Sequence, residues 1–190
     1  MCSSDLGQTT YFYISATNAG GESLPTETLA VKTSADAGAP KLLIVSGFDK
    51  LDIATRVQSS WSGDMLYRQI IPLMNSHDFI VEHARALDAW DYPLAFDSCE
   101  HEAVGTAAIG LGNYSAVIWI AGLQAEVSTN DPTNDVSISP AQQAALSAYL
   151  QGGGKLFLSG ACVAWDLDRA GITSWVDTTQ IGRASCRERV

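Results

Sequence analysis

The sequence predicts an α/β fold, a doubly wound parallel sheet preceded by a partial all-β hairpin, and three observations carry that prediction. Leu42 to Ser46, Ala116 to Ala121 and Leu156 to Ser159 are short unbroken apolar runs (LLIVS, AVIWIA, LFLS), the pattern of strands buried on both faces. Stretches of helical spacing separate the runs. Strand alternating with helix from Lys41 to Ser159 then asks for right-handed crossovers, with helices covering the sheet.

Composition bounds what such a fold can serve. The chain has 190 residues, 46% hydrophobic and 17% charged, which suits a packed core and excludes a disordered tail. Eleven Lys and Arg against 21 Asp and Glu give a formal charge of −10. That charge opposes counterion release, so nucleic acid and anionic membrane are excluded as partners. No apolar run approaches the roughly 18 residues that span a bilayer, so no membrane insertion is expected.

The two ends are set aside first. Met1 to Leu6 and the last ten residues, 181–190 (IGRASCRERV), resemble translated sequencing adapter, codon for codon. The native stretch is therefore expected to run from Gly7 to about Gln180, as a fragment of a longer protein.

From Thr9 to Asn18 the residues alternate as in a strand, Asn18 to Pro25 is a turn cluster, and Glu27 to Thr33 reads as a second strand, together one hairpin. An aromatic strand followed by Asn18, Gly21, Ser23 and Pro25 resembles the closing strands of a fibronectin type III module over residues 7–33, with Thr10 where such modules often carry tyrosine. Residues 34–40 (SADAGAP) hold no large apolar side chain and read as a linker. A truncated α/β domain is expected over 41–180. Within it, Phe79 to His83 is a weaker strand candidate. Asp64 to Ser76 carries Leu66, Ile70, Leu73 and Met74 at helical spacing with Pro72 as a breaker, and Glu100 to Leu111 is a second helix candidate. Ser139 to Gly152 has the fullest signal: Ser139 as N-cap, Pro140 at the first position, Gln142 completing a capping box, Gly152 at the left-handed C-terminal position, and Leu146, Tyr149 and Leu150 as the buried stripe.

Ligands of open parallel sheets bind beyond the carboxyl ends of the strands. Three segments are expected there: Gly47 to Asp49, Gly122 to Ser137, and Gly160 to Asp166. In the last, a strand running into Gly160-x-Cys162-x-Ala164 has the form of a nucleophile elbow, whose small neighbours permit a sharp turn into a helix. A helix start there would favour thiolate.

With Ile120-Ala121-Gly122, the Ser139 helix and Gly152 to Gly154, this turn resembles the class I glutamine amidotransferase-like, flavodoxin-like family over Lys41 to about Leu167. The resemblance implies Cys162 as the catalytic residue, attacking an amide or similar carbon, with a histidine and an acid from beyond Gln180. Ala164 in place of the family's glycine, and Trp165 to Asp168, depart from the pattern. The chain is also similar to secreted bacterial proteins in which fibronectin type III modules precede such a domain, some under polysaccharide-lyase labels and some lacking the cysteine. The implied protein is extracellular or at the cell surface. Its role would be non-catalytic, binding or architectural, with polysaccharide or cell-surface glycan as partner, and the alternative is a Cys162 hydrolase or amidase. Cys162 has two further readings. It could be an inert buried residue, or it could pair with Cys99, since disulfides persist outside cells.

No cofactor or metal site is expected. His77, His83 and His101 stand apart without a second ligand at zinc spacing. Asp49, Asp52, Glu126, Asp166 and Asp168 read as solvated loop carboxylates, and Gly152 to Gly154 as a helix stop. Of Trp61, Trp90, Trp119, Trp165 and Trp175, Trp119 belongs to a core strand, and the other four are candidates for a sugar-stacking surface.

Overall fold

The computed structural model describes residues 7–51, 57–68, 70–90, 92–125 and 136–169. The adapter-like ends, Asp52, Glu126 and Trp175 lie outside these residues. The strands are β1 (Thr9–Phe12), β2 (Thr17–Asn18), β3 (Gly21–Glu22), β4 (Leu29–Lys32), β5 (Lys41–Ser46), β6 (Val57–Trp61), β7 (Asp64–Arg68), β8 (Ala95–Glu100), β9 (Ala116–Gly122) and β10 (Leu156–Gly160). The helices are α1 (Ile71–Met74), α2 (Phe79–Asp88), α3 (His101–Gly105), α4 (Pro140–Gln151) and α5 (Val163–Arg169), with a 3₁₀ turn at Leu111–Asn113.

Six strands form one sheet in the order β1-β4-β8-β5-β9-β10. β8, β5, β9 and β10 are parallel, whereas β4 runs antiparallel to β8 and β1 antiparallel to β4. The molecule is therefore an α/β protein with a mixed, mostly parallel sheet. The three apolar runs are its strands β5, β9 and β10, as the sequence predicts. Alternation along them fills two cores. Leu43, Val45, Val117, Trp119 and Ala121 meet Val104, Leu146, Tyr149 and Val163 on one side; Ile44 and Ile120 meet Ala30, Ile80, Ala84 and Phe96 on the other.

The N-terminal hairpin shares this sheet. β1 pairs with β4 over Thr9↔Lys32 to Phe12↔Leu29, and β4 meets β8 at Lys32↔Phe96. Ser98 Oγ closes the seam by accepting from the Ala30 amide and donating to the Ala30 carbonyl, both at 2.7 Å. The single strand expected from Thr9 to Asn18 is instead two, because the chain leaves β1 after Phe12 and turns tightly at Asn18, whose Oδ1 accepts from the Gly20 amide at 2.7 Å.

Three further expectations fail for physical reasons. The helix expected over Asp64 to Ser76 is the second strand of the β6–β7 hairpin followed by the one-turn α1. Ser62 and Gly63 both have positive φ, 52° and 89°, the two-residue turn that joins twisted antiparallel strands. Phe79 to His83 is helical because Ile80, Ala84 and Leu87 line one face of α2 against β4, β5 and β1. Finally, the helix expected over Glu100 to Leu111 stops at Gly105, and Ala107 turns left-handed at φ 57°.

The Ser139 helix starts as read, but the left-handed residue at its end is Gly153, with φ 87°, and not Gly152, with φ −76°. Ser139 Oγ accepts from the Gln142 amide, and Gln142 Oε1 accepts from the Ser139 amide at 2.7 Å. Leu146 is fully buried beneath it.

Candidate functional site at the carboxyl rim of the sheet

β5 and β8 end side by side, with Ser46 paired to Glu100 in the parallel register. The rim above them gathers residues that are far apart in sequence. Glu27, on the approach to β4, is only 8% exposed and accepts a hydrogen bond from the Ser46 hydroxyl. Its carboxyl also meets that of Glu100, and two such groups at one buried place cannot both hold a charge. Burial raises the Glu100 pKa, and the charge of Glu27 and the hydrogen bond to it raise it further. Burial raises Glu27 as well, but its bonds from Ser46 and Glu100 oppose the shift. The two carboxyls therefore share one proton, held well above the usual carboxylate range.

Beside this pair lies a second constellation, whose tautomer follows from the helix cap. Gln142 uses Oε1 to accept the Ser139 amide, so its Nε2 faces the other way and donates to His101 Nδ1 at 2.6 Å and to the His101 carbonyl at 3.0 Å. His101 Nδ1 must then accept, which leaves the ring hydrogen on Nε2, where it is given to Asp49 Oδ2 at 2.7 Å. Glu102 Oε1 stands 3.1 Å from the same nitrogen. Burial opposes charge on His101, but the hydrogen bond and charge of Asp49, together with Glu102, outweigh it and raise the pKa.

The donor atoms of Asp49, His101 and Glu102 lie within 4.8 Å of one another, as do those of Glu27, Asp49 and Glu100. These are the described residues placed to hold a cation. The network already spends its hydrogens internally, since the Glu27–Glu100 pair shares one proton and His101 gives its own to Asp49. Chemically, the rim can hold a proton near neutral pH on a carboxyl and present the exposed Asp49 and Glu102 at its mouth.

The sequence places His101 and Asp49 individually but does not join them, and it misses Glu27, Ser46, Glu100 and the second bond of Gln142. The capping box is the one signal from which Gln142 could have been found.

Cys162 follows β10 through Gly160 and Ala161, and its carbonyl accepts from the Asp166 amide at 2.8 Å, opening α5. Strand, turn and helix are thus arranged as the sequence predicts, although β10 is the edge strand of the described sheet. The Ala161 amide ties the turn to the Gly122 carbonyl at 2.8 Å. A Cβ at Gly160 would meet Val163 at 2.6 Å and Ala121 at 2.9 Å, so only glycine lets the turn lie against β9. The non-glycine residues with positive φ among those described are Ser62, His77 and Ala107, so Cys162 lacks that strain.

Cys99 and Cys162 are both free thiols, which corrects the disulfide expectation. Cys99 belongs to β8, and β5 and β9 lie between it and β10, roughly 14 Å at about 4.8 Å per strand, against the ~7 Å that a bridge tolerates. Burial and the carboxylates of Glu100, Asp97 and Glu102 push the Cys99 thiol up to about 12. Asp166 is not a solvated loop group either. It is buried and accepts from both the amide and the hydroxyl of Ser137, each at 2.8 Å, pinning that segment to α5.

Of the other candidates, His77 sits in a turn and His83 on α2, its Nδ1 bonded to the Phe79 carbonyl at 2.8 Å. Trp119 is buried in β9, whereas Trp90 and Trp165 are exposed. No protein-family model matches the chain, nor does any curated protein or solved structure.

Proposed function

We propose that the chain comes from a secreted, multidomain bacterial protein, in which it is a non-catalytic binding and architectural module: a fibronectin type III tail joined to a doubly wound, amidotransferase-like domain. The strand order supports the doubly wound part. Along the chain the parallel strands are laid down as β5, β8, β9, β10, and the direction of stepping reverses once, about β5. With crossovers of constant hand, that reversal moves the helices to the opposite face, and α2 does pack on one core while α3 and α4 pack on the other. The antiparallel seam between β4 and β8 supports the architectural part, since it joins the N-terminal strands to the sheet.

The non-catalytic reading is carried by the commitment of His101. The rim histidine has one ring nitrogen on Asp49 and the other on Gln142, and so serves a closed network instead of a nucleophile. A second reading, a hydrolase or amidase using Cys162, is favoured by the strand–turn–helix geometry at Gly160 to Val163, with its base and acid supplied from outside the fragment. Two measurements on the full-length protein decide between them. Alkylation of Cys162 near neutral pH is expected at the rate of an ordinary thiol, and release of ammonia from glutamine or peptide amides is expected to be nil. Rapid alkylation, or hydrolysis that Cys162→Ser abolishes, overturns the binding reading.

A further inference from the structure

We propose that the cleft at the amino ends of the parallel strands is a subsite for one pyranose ring of a glycan, with Trp90 and Tyr92 as its stacking platform. The platform is a consequence of how α2 ends. Just past the end of α2, the Tyr92 amide donates to the Trp90 carbonyl at 2.7 Å. The rings two residues apart are thereby stacked, with centroids 5.1 Å apart and planes inclined by 18°. Neither ring belongs to either core, and Trp90 remains 57% exposed and Tyr92 49%. The stacked pair leaves an outer ring face exposed, an apolar surface that the fold itself does not use.

Both rings border a cleft of about 450 Å³, whose wall also includes Gly7, Lys32, Ser34 and Asp88. That volume is within the usual span of small-ligand sites, about 300–1,000 Å³. The wall is polar where the platform is not. Asp88 Oδ1 accepts from Thr9 Oγ1 at 2.8 Å and from Lys32 Nζ at 2.7 Å, so the carboxylate is held in place while neither bond uses Oδ2. The side chains of Lys32 and Asp88 keep 14% and 35% exposure, fixed yet within reach.

A pyranose matches this two-part surface. Its faces carry C–H bonds with slightly positive hydrogens, which suit the negative face of an aromatic ring, and its edge carries hydroxyls that need partners once water leaves. Other flat ligands match less well. A nucleobase brings phosphates that a chain of charge −10 repels. A proline-rich peptide stacks on aromatic rings but has no use for the Lys32–Asp88 pair. The site rests on the binding reading above only for the choice of a glycan.

Calorimetric titration of the intact chain with β-linked hexasaccharides of glucose, N-acetylglucosamine and xylose, and with a polyproline decamer, tests the subsite. At least one saccharide is expected to bind, Trp90→Ala to weaken it about tenfold and Tyr92→Ala about threefold, and Trp165→Ala to leave it unchanged. Far-UV circular dichroism checks that each variant keeps its fold. Saccharide binding that survives Trp90→Ala overturns the subsite and leaves the binding reading standing. Binding of polyproline alone, or of no saccharide, also overturns it, and the thiol and amide assays then judge the binding reading separately.

Discussion

At the carboxyl rim the polar hydrogens are committed inward: Ser46 gives its own to Glu27, Glu27 and Glu100 share one, Gln142 gives to His101, and His101 to Asp49. At the amino end, Trp90 and Tyr92 face water around a cleft whose charged pair is only partly covered. The two ends of one sheet therefore separate two tasks. A buried polar network is costly to break, because each orphaned partner keeps its desolvation penalty. An exposed platform costs little to alter, which is what a binding surface requires. Stability measurements distinguish the ends directly.

The largest effect is expected from Glu27→Ala. It strips the Ser46 hydroxyl and the Glu100 carboxyl of their shared partner in a buried place, and should cost about 3 kcal/mol in urea unfolding. A cost below about 0.5 kcal/mol would mean that water reaches both groups and that the rim is open.

Gln142→Ala comes next. It removes the acceptor of the Ser139 amide and the donor to His101 at once, for about 2 kcal/mol. Gln142→Glu sharpens the point, since its carboxylate still accepts the Ser139 amide but offers His101 Nδ1 an acceptor. The His101 ring resonances should then titrate at higher pH than in the wild type. An unchanged titration would show that Gln142 does not set the tautomer.

The same residues show what was legible in the sequence and what was not. Gln142 could be read because a capping box is local, with donor and acceptor three residues apart. Its second bond could not, since His101 is 41 residues away and is brought near only by the packing of α3 on α4. Glu27 and Glu100 lie farther apart still, and the register of β5 against β8 that sets Ser46 beside Glu100 leaves no trace in either segment. The continuous apolar runs gave the sheet its strands because burial on both faces is a property of each strand alone. Residues 79–88 misled for the converse reason. Phe79, Ile80 and Val81 form a short apolar run that fits a strand, and only the spacing to Ala84 and Leu87 reveals the helix. The turn at Cys162 is legible because a small-residue turn after an apolar strand is again a local signal, whereas the sequence points to a central strand and β10 is the edge of the described sheet.

A smaller effect is expected from Glu100→Gln, and its pH dependence matters more than its size. The folded Glu100 holds its proton more tightly than the unfolded chain does. Its contribution is thus complete below the unfolded value, about 4.3, and is lost as pH rises through the folded value. Glu27 acts in the same sense, and so does His101 above about 6.5. Urea stability of the wild type should therefore decline from weakly acid to alkaline pH. Glu100→Gln keeps a donor toward Glu27 without a proton to lose, so it should match the wild type near pH 5 and exceed it by on the order of 1–2 kcal/mol near pH 9. Parallel pH profiles would place the proton elsewhere.

The smallest effect is expected at the open end. Trp90 stacks on Tyr92 and belongs to neither core, so Trp90→Ala should change unfolding free energy by less than about 0.5 kcal/mol. A loss of 2 kcal/mol or more, of the order that core truncation brings, would mean that the stack braces the end of α2. The rings would then be structural, and the division between a closed rim and an open cleft would fail at the end where it is easiest to measure. A near-zero change, together with loss of saccharide binding in the same variant, identifies a surface kept for a ligand.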